Sequence, residues 1–153
     1  METELAEARL AAGALFRDAS GRVLLVKPSY KSGWDIPGGY VDEGESPLQA
    51  CVREVREEIG LTVALRGPLV VDWSPKPRAG NRVMFVFDGG SLTGGQEAGI
   101  RLQKDELSGY RYVAPADLDR HLGKRLLPRV LAALAARESG TTVYLEHGRP
   151  LAG

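Results

Sequence analysis

The chain is most informative first through what it lacks. A single cysteine, Cys51, excludes an internal disulfide framework and fits a reducing, cytoplasmic setting. The two histidines, His121 and His147, have no spacing for a zinc site and are expected at the surface. No run of 18 apolar residues occurs, so no membrane-spanning helix is expected. The opening METELAEARL lacks a basic start followed by an apolar run, so no signal peptide is expected either. Twenty basic residues balance twenty acidic ones, leaving no overall field to recruit nucleic acid or an anionic membrane. Any anionic substrate must then be met by local charge or by a metal ion.

What remains is an ordinary globular composition, 43% apolar and 26% charged over 153 residues. With no internal repeat, linker or long low-complexity segment, residues 1–153 are expected to form a single domain. Residues 9–27 read as a hairpin, turning at Asp18-Ala19-Ser20-Gly21. Leu61 to Trp73 reads as one or two strands broken at Gly67-Pro68, and Val83 to Phe87 as a buried strand. Gly89 to Gly99, with five glycines, reads as a flexible loop. Ile100 to Leu102 and Tyr110 to Val113 are expected as short strands, Pro115 to Leu118 as one helical turn, and 128–138 as a helix closed by Gly140. Thr141 to Leu145 is a last β-like segment before a His-Gly turn. Strands on either side of two separate helices predict an α/β protein with a mixed sheet sandwiched between helices.

The strongest signal lies between Gly39 and Leu61, GYVDEGESPLQACVREVREEIGL. Ser46, Pro47 and Gln49 form a capped helix start, and Gly60 suits a left-handed stop. Leu48, Cys51, Val52, Val55 and Ile59 make a core-facing stripe, on which Cys51 is inert. Glu54, Glu57 and Glu58 share an arc of about 100° beside that stripe, with Arg53 and Arg56 outside it. Three such carboxylates repel unless a cation lies between them. A divalent ion would both neutralise phosphate oxygens and activate water, and Mg²⁺ favours carboxylate and water oxygens.

Gly39, Glu45, Arg53, Glu54, Glu57, Glu58 and Gly60 stand in the register of the Nudix box. The Trp34-x-x-Pro37-Gly38-Gly39 entry and the later Glu106-Leu107-x-x-Tyr110-Arg111-Tyr112-Val113 segment also resemble the Nudix hydrolases. The resemblance implies an α/β/α sandwich and hydrolysis of a nucleoside diphosphate linked to another group, ADP-ribose or a nucleotide sugar for example. It implies Mg²⁺ or Mn²⁺ held by Glu57 and Glu58, with a carbonyl of the Gly38-Gly39 turn nearby. Glu54 is then a further ligand or the base that takes a proton from water, and Arg53 orients a carboxylate. Gly39, Glu45 and Gly60 are expected to be architectural. Members of the family bring a further acid from a later loop, for which Glu106 is the candidate, with Asp105 behind it.

Substrate choice is expected from the flanking loops. Tyr30, Lys31, Trp34 and Asp35 precede the box, and Trp73, Lys76, Arg78 and Arg82 follow it. Pro75 and Pro77 lie near the place where some ADP-ribose-cleaving members carry a proline. The expected partner is a small nucleotide, with neither nucleic acid nor membrane, and with homodimer formation left open. The rival readings are a nucleoside triphosphate pyrophosphohydrolase of the nucleotide pool, a non-catalytic nucleotide-sensing module, and a hydrolase of capped RNA.

Overall fold

A computed structural model describes residues 3–151. In chain order the elements are β1 (Arg9–Arg17), β2 (Val23–Pro28), β3 (Gly38–Tyr40), α1 (Pro47–Ile59), β4 (Arg66–Trp73), β5 (Arg82–Ser91), α2 (Gly94–Ala98), β6 (Leu107–Val113), a 3₁₀ turn (Pro115–Arg120), α3 (Leu126–Ser139), β7 (Val143–Glu146) and β8 (Arg149–Pro150). The sheet runs β6-β2-β1-β5-β4-β7-β8, with β3 paired to β1. Two pairings, β1 with β5 and β4 with β7, are parallel, and the others are antiparallel. The sheet is therefore mixed.

Alternation along the strands divides the core in two. Ala12, Ala14 and Phe16 of β1 and Leu24 and Val26 of β2 pack with Cys51, Val55 and Ile59 of α1. Their neighbours Leu15, Val23 and Leu25 point the other way, towards Val130, Ala133 and Ala136 of α3. Each fully buried Leu, Ile or Phe contributes about 1.5–3 kcal/mol of transfer free energy. The result is a sheet covered by α1 on one face and α3 on the other, the α/β sandwich expected.

Helix α1 has the ends read from its sequence. Ser46 and Gln49 form the reciprocal capping box, Pro47 opens the helix, and Gly60 is left-handed at φ 75°. Its stripe differs at both ends: Leu48 is exposed, whereas Glu58 is buried at the helix's C-terminal end. The region after β5 differs more. Strand β5 runs on to Ser91, and Gly94–Ala98 form a short helix with a Thr93–Gln96 capping box, not a flexible loop. Ile100 to Leu102 are not a strand. Arg101 N–H donates to Ile59 O (2.8 Å) and Gln103 N–H to Glu58 O (2.9 Å), satisfying carbonyls that the end of α1 leaves free. Residues 61–65 are likewise outside any strand, and β4 carries a register irregularity between Arg66 and Val70, around the Gly67-Pro68 position. No helix among the described residues is long and apolar enough to cross a membrane.

Candidate active site

Gly38 and Gly39 lie on β3, between β1 and α1, and both are closed to a side chain. A Cβ on Gly38 would run into the Ala12 carbonyl, and one on Gly39 would sit 2.6 Å from the Glu54 carboxyl carbon. The backbone is thus pressed against the acidic edge of α1, and Gly38 N–H donates to Glu58 Oε1 at 3.1 Å. Glu54 and Glu58 open into a cavity of about 250 Å³ with Asp35, Asp42 and Glu106, which no lysine or arginine lines. Segment 100–103, tied to the end of α1, leads the 104–106 turn to this cavity. Ser29 fixes that turn, its N–H donating to Glu106 O and its hydroxyl to Asp105 O.

The cation among the glutamates is Arg53, which lies just outside their arc on the helix and reaches into it with its long side chain, orienting carboxylates there. Its Nε and Nη2 donate to the two carboxylate oxygens of Glu45 (2.7 and 2.9 Å). Its Nη1 reaches Glu54 Oε1 (2.9 Å) and Glu57 Oε2 (3.1 Å), and Nη2 also reaches the Tyr40 carbonyl. A planar fork hydrogen-bonds three carboxylates at once because its donors diverge at fixed angles, and Asp42 lies 3.4 Å from Nη2 as a fourth. The pairing holds the Glu45 carboxyl down at about 2, Arg53 being the chief cause. Glu57 remains half-exposed at the rim, outside the cavity that Glu54 and Glu58 share.

Glu58 is electrostatically the opposite of Glu45. Burial pushes its carboxyl up to about 8, and Glu54, Asp35 and Glu106 add repulsion against the Gly38 N–H that favours the charge. Glu54 is also raised, first by burial, with Arg53 opposing. Among the described residues no three His, Cys, Asp or Glu side chains form a ready cage for an ion. The donors present nevertheless fit Mg²⁺ or Mn²⁺. Mg²⁺ uses one or two carboxylates and retains waters, and a buried carboxylate whose charge is opposed by three other acids is relieved by a divalent cation.

The sequence candidates divide cleanly. Tyr30, Lys31, Asp35 and Arg82 line a second cavity of about 310 Å³, which shares the Gly38-Gly39 wall with the acidic one. Lys31 and Asp35 also pair with each other at 3.2 Å. Trp34 packs on the α3-side core, edge-on to His121 and beneath Arg111. His121 is correspondingly half-buried, not a free surface residue. Trp73 and Arg78 line neither cavity, and Arg78 is exposed on the turn between Lys76 and Gly80. Cys51 is buried, its thiol pushed up to about 12 by burial and by the nearby glutamates.

Sequence reading missed Met84, Phe85 and Arg129 in the second cavity. Arg129 Nε donates to Asp72 Oδ2 at 2.8 Å, and both side chains are almost wholly buried. An arginine in the otherwise apolar run of α3 was the available signal.

The fold and cavity together define an α/β/α sandwich protein with an acidic site between a glycine turn and a helix edge. The family model described as NUDIX domain matches residues 7–134, and the chain belongs to the Nudix family. It is 39% identical over 99 residues to a putative 8-oxo-dGTP diphosphatase of Bacillus subtilis, covering 65% of this chain and 62% of that protein. It is 35% identical over 89 residues to an ADP-ribose pyrophosphatase of Methanocaldococcus jannaschii, covering 53% of each. The crystal structure of a MutT protein from Methanosarcina mazei superposes with a TM-score of 0.67 at 26% identity, covering 90% of this chain and 99% of that one. The matched part spans about three fifths or less of the length of these curated relatives.

Proposed function

We propose that the protein is a Mg²⁺- or Mn²⁺-dependent pyrophosphohydrolase of small nucleotides, cleaving a nucleoside diphosphate linked to another moiety, such as ADP-ribose or a nucleotide sugar. The observation that carries this reading is the shared cavity of Glu54 and Glu58, walled by a glycine turn and free of basic residues. Glu58 and Glu54, with Glu57 at the rim and a carbonyl of the Gly38-Gly39 turn, are the residues that would hold the ion. When bound, a divalent ion offsets phosphate charge and lowers the pKa of water. Glu54 or Glu106, both facing the cavity, would accept the proton of the attacking water. Arg53 acts by holding Glu54 and Glu57 in place. Tyr30, Lys31, Asp35 and Arg82 contact the nucleotide, with Phe85 offering a ring for the base. Trp34, Trp73 and Arg78 are weaker candidates by their positions. The setting is cytoplasmic, to which a single buried cysteine, Cys51, is suited.

A triphosphate pyrophosphohydrolase is the second reading, favoured by the likeness to the B. subtilis protein. Assaying ADP-ribose, a nucleotide sugar, a dinucleoside polyphosphate and 8-oxo-dGTP with each metal separates the two. Glu58→Gln and Glu57→Gln are each expected to remove most turnover while remaining folded. Near-wild-type rates in both variants would sink the assignment.

A further inference from the structure

Three arginines meet just beyond the end of β4, and one serine joins them. Ser74 is wholly buried. Its hydroxyl accepts from Arg125 Nη1 at 3.0 Å and from Arg129 Nη2 at 3.2 Å, and its carbonyl accepts from Arg82 Nε at 3.0 Å. Neighbouring acceptors extend the strip. Pro75 O takes a further bond from Arg125 Nη1, and Asp72 Oδ2 takes one from Arg129 Nε. Asp72 is itself held from the C-terminal hairpin by Gly148 N–H at 3.0 Å. Arg82 opens β5, Arg129 lies on α3 and Arg125 immediately precedes α3, so separate parts of the chain converge on Ser74.

All three arginines border a space of about 400 Å³, and Arg82 and Arg129 also line the neighbouring cavity of about 310 Å³. Ser74 lines neither. A tie that only pinned α3 to β4 would end in the core, whereas these side chains reach open space. Like charges on one wall repel, and water draws free guanidinium heads outward. A hydroxyl has two lone pairs, and Ser74 presents them to two different guanidiniums, fixing the direction of each. We propose that Ser74 is a positioning residue for nucleotide binding, which touches no substrate itself and sets how Arg82, Arg125 and Arg129 present their remaining N–H groups to the cleft. Guanidinium donors serve ribose hydroxyls, base edges and phosphate oxygens alike, so the role is the same for ADP-ribose and for a triphosphate. This rests on the hydrolase reading above and adds to it a residue outside both cavities.

The test compares Ser74→Ala with the wild type at matched folded fraction, using ADP-ribose and 8-oxo-dGTP in Mg²⁺. For whichever compound is turned over, KM should rise about tenfold, as for lost hydrogen bonds to charged groups, while kcat stays within about twofold. The glutamates of the acidic cavity keep their own partners in this variant. An unchanged KM, or a fall in kcat at unchanged KM, overturns the proposal. Should Ser74→Ala not fold, Arg125→Lys keeps the charge and loses the planar donor that spans Ser74 and Pro75. Its KM should also rise, and a wild-type KM would overturn the proposal. Equilibrium binding of both compounds in Mg²⁺ is measured alongside. Binding weakened by Ser74→Ala, with no turnover by either protein, would support the role of Ser74 while removing the hydrolase reading. Equally tight binding by both proteins overturns the role of Ser74 alone.

Discussion

Each of the two helices flanking the sheet carries an arginine paired with carboxylate, and the two arginines are placed very differently. Arg53 on α1 spreads its donors over Glu45, Glu54 and Glu57, with its side chain about one-fifth exposed. Arg129 on α3 meets one carboxylate, Asp72, which has no exposure at all and also accepts from Gly148 N–H. A fork in partial contact with water can arrange charges without holding the fold together. A sealed pair cannot lose one member without burying a bare charge. The first arrangement suits the chemistry proposed for the acidic cavity, and the second suits a scaffold behind the cleft.

Removing each arginine should break the symmetry in opposite directions. Arg129→Met leaves Asp72 buried and unpaired, so stability should fall by about 3–5 kcal/mol, read as a lower urea midpoint. Replacing Asp72 as well, by Asn, should recover part of that loss. Arg53→Met should lower kcat roughly 100-fold by freeing Glu54 and Glu57. Its stability loss should be only about 1–2 kcal/mol, since ion pairs still in contact with water contribute little each. Equal stability losses in the two variants would erase the distinction.

A gentler probe is Gly39→Ala. Its Cβ would displace the Glu54 carboxylate, the mobile end of a side chain, so folding should survive. Turnover should fall about tenfold through misplacement of that carboxylate. A circular dichroism melt run beside the assay separates misplacement from unfolding.

The smallest effect concerns pH. Glu45 is depressed to about 2 in the folded protein from an ordinary 4.5. Its contribution is present above the unfolded value and lost as pH falls from about 4.5 towards 2. Acid unfolding curves of Arg53→Met should therefore be flatter across that window than those of the wild type. A wild-type slope in the variant would assign the acid sensitivity elsewhere.

The same contrast explains what could be read from sequence. Arg53 and Glu45 are eight residues apart, in a segment whose caps at Ser46 and Gly60 announce a helix. Local spacing settles such geometry, and α1 emerges with the expected ends. Arg129 and Asp72 are 57 residues apart, and only the parallel pairing of β4 with β7 and the packing of α3 bring them together. No periodicity within either segment encodes that. Thr93 and Gln96 had the spacing of a capping box, but the surrounding glycines favoured a loop. Trp73 and Arg78 were near the cleft in sequence, yet the turn at Lys76–Gly80 carries Arg78 away into solvent. Glu106 is the reverse case, an acid distant from the box that the tie between residues 101–103 and the end of α1 returns to it.

The cavity of Glu54 and Glu58 is proposed above as a divalent-metal hydrolytic site. Its most direct test is ADP-ribose hydrolysis, followed across a Mg²⁺ titration from chelated to millimolar, in wild type and Glu58→Gln at matched folded fraction. No wild-type turnover is expected under chelation, with a saturable rise as Mg²⁺ is added and a loss of roughly 100-fold or more in Glu58→Gln at every concentration. Turnover that persists under chelation, or a Glu58→Gln titration superimposable on the wild type, would contradict it.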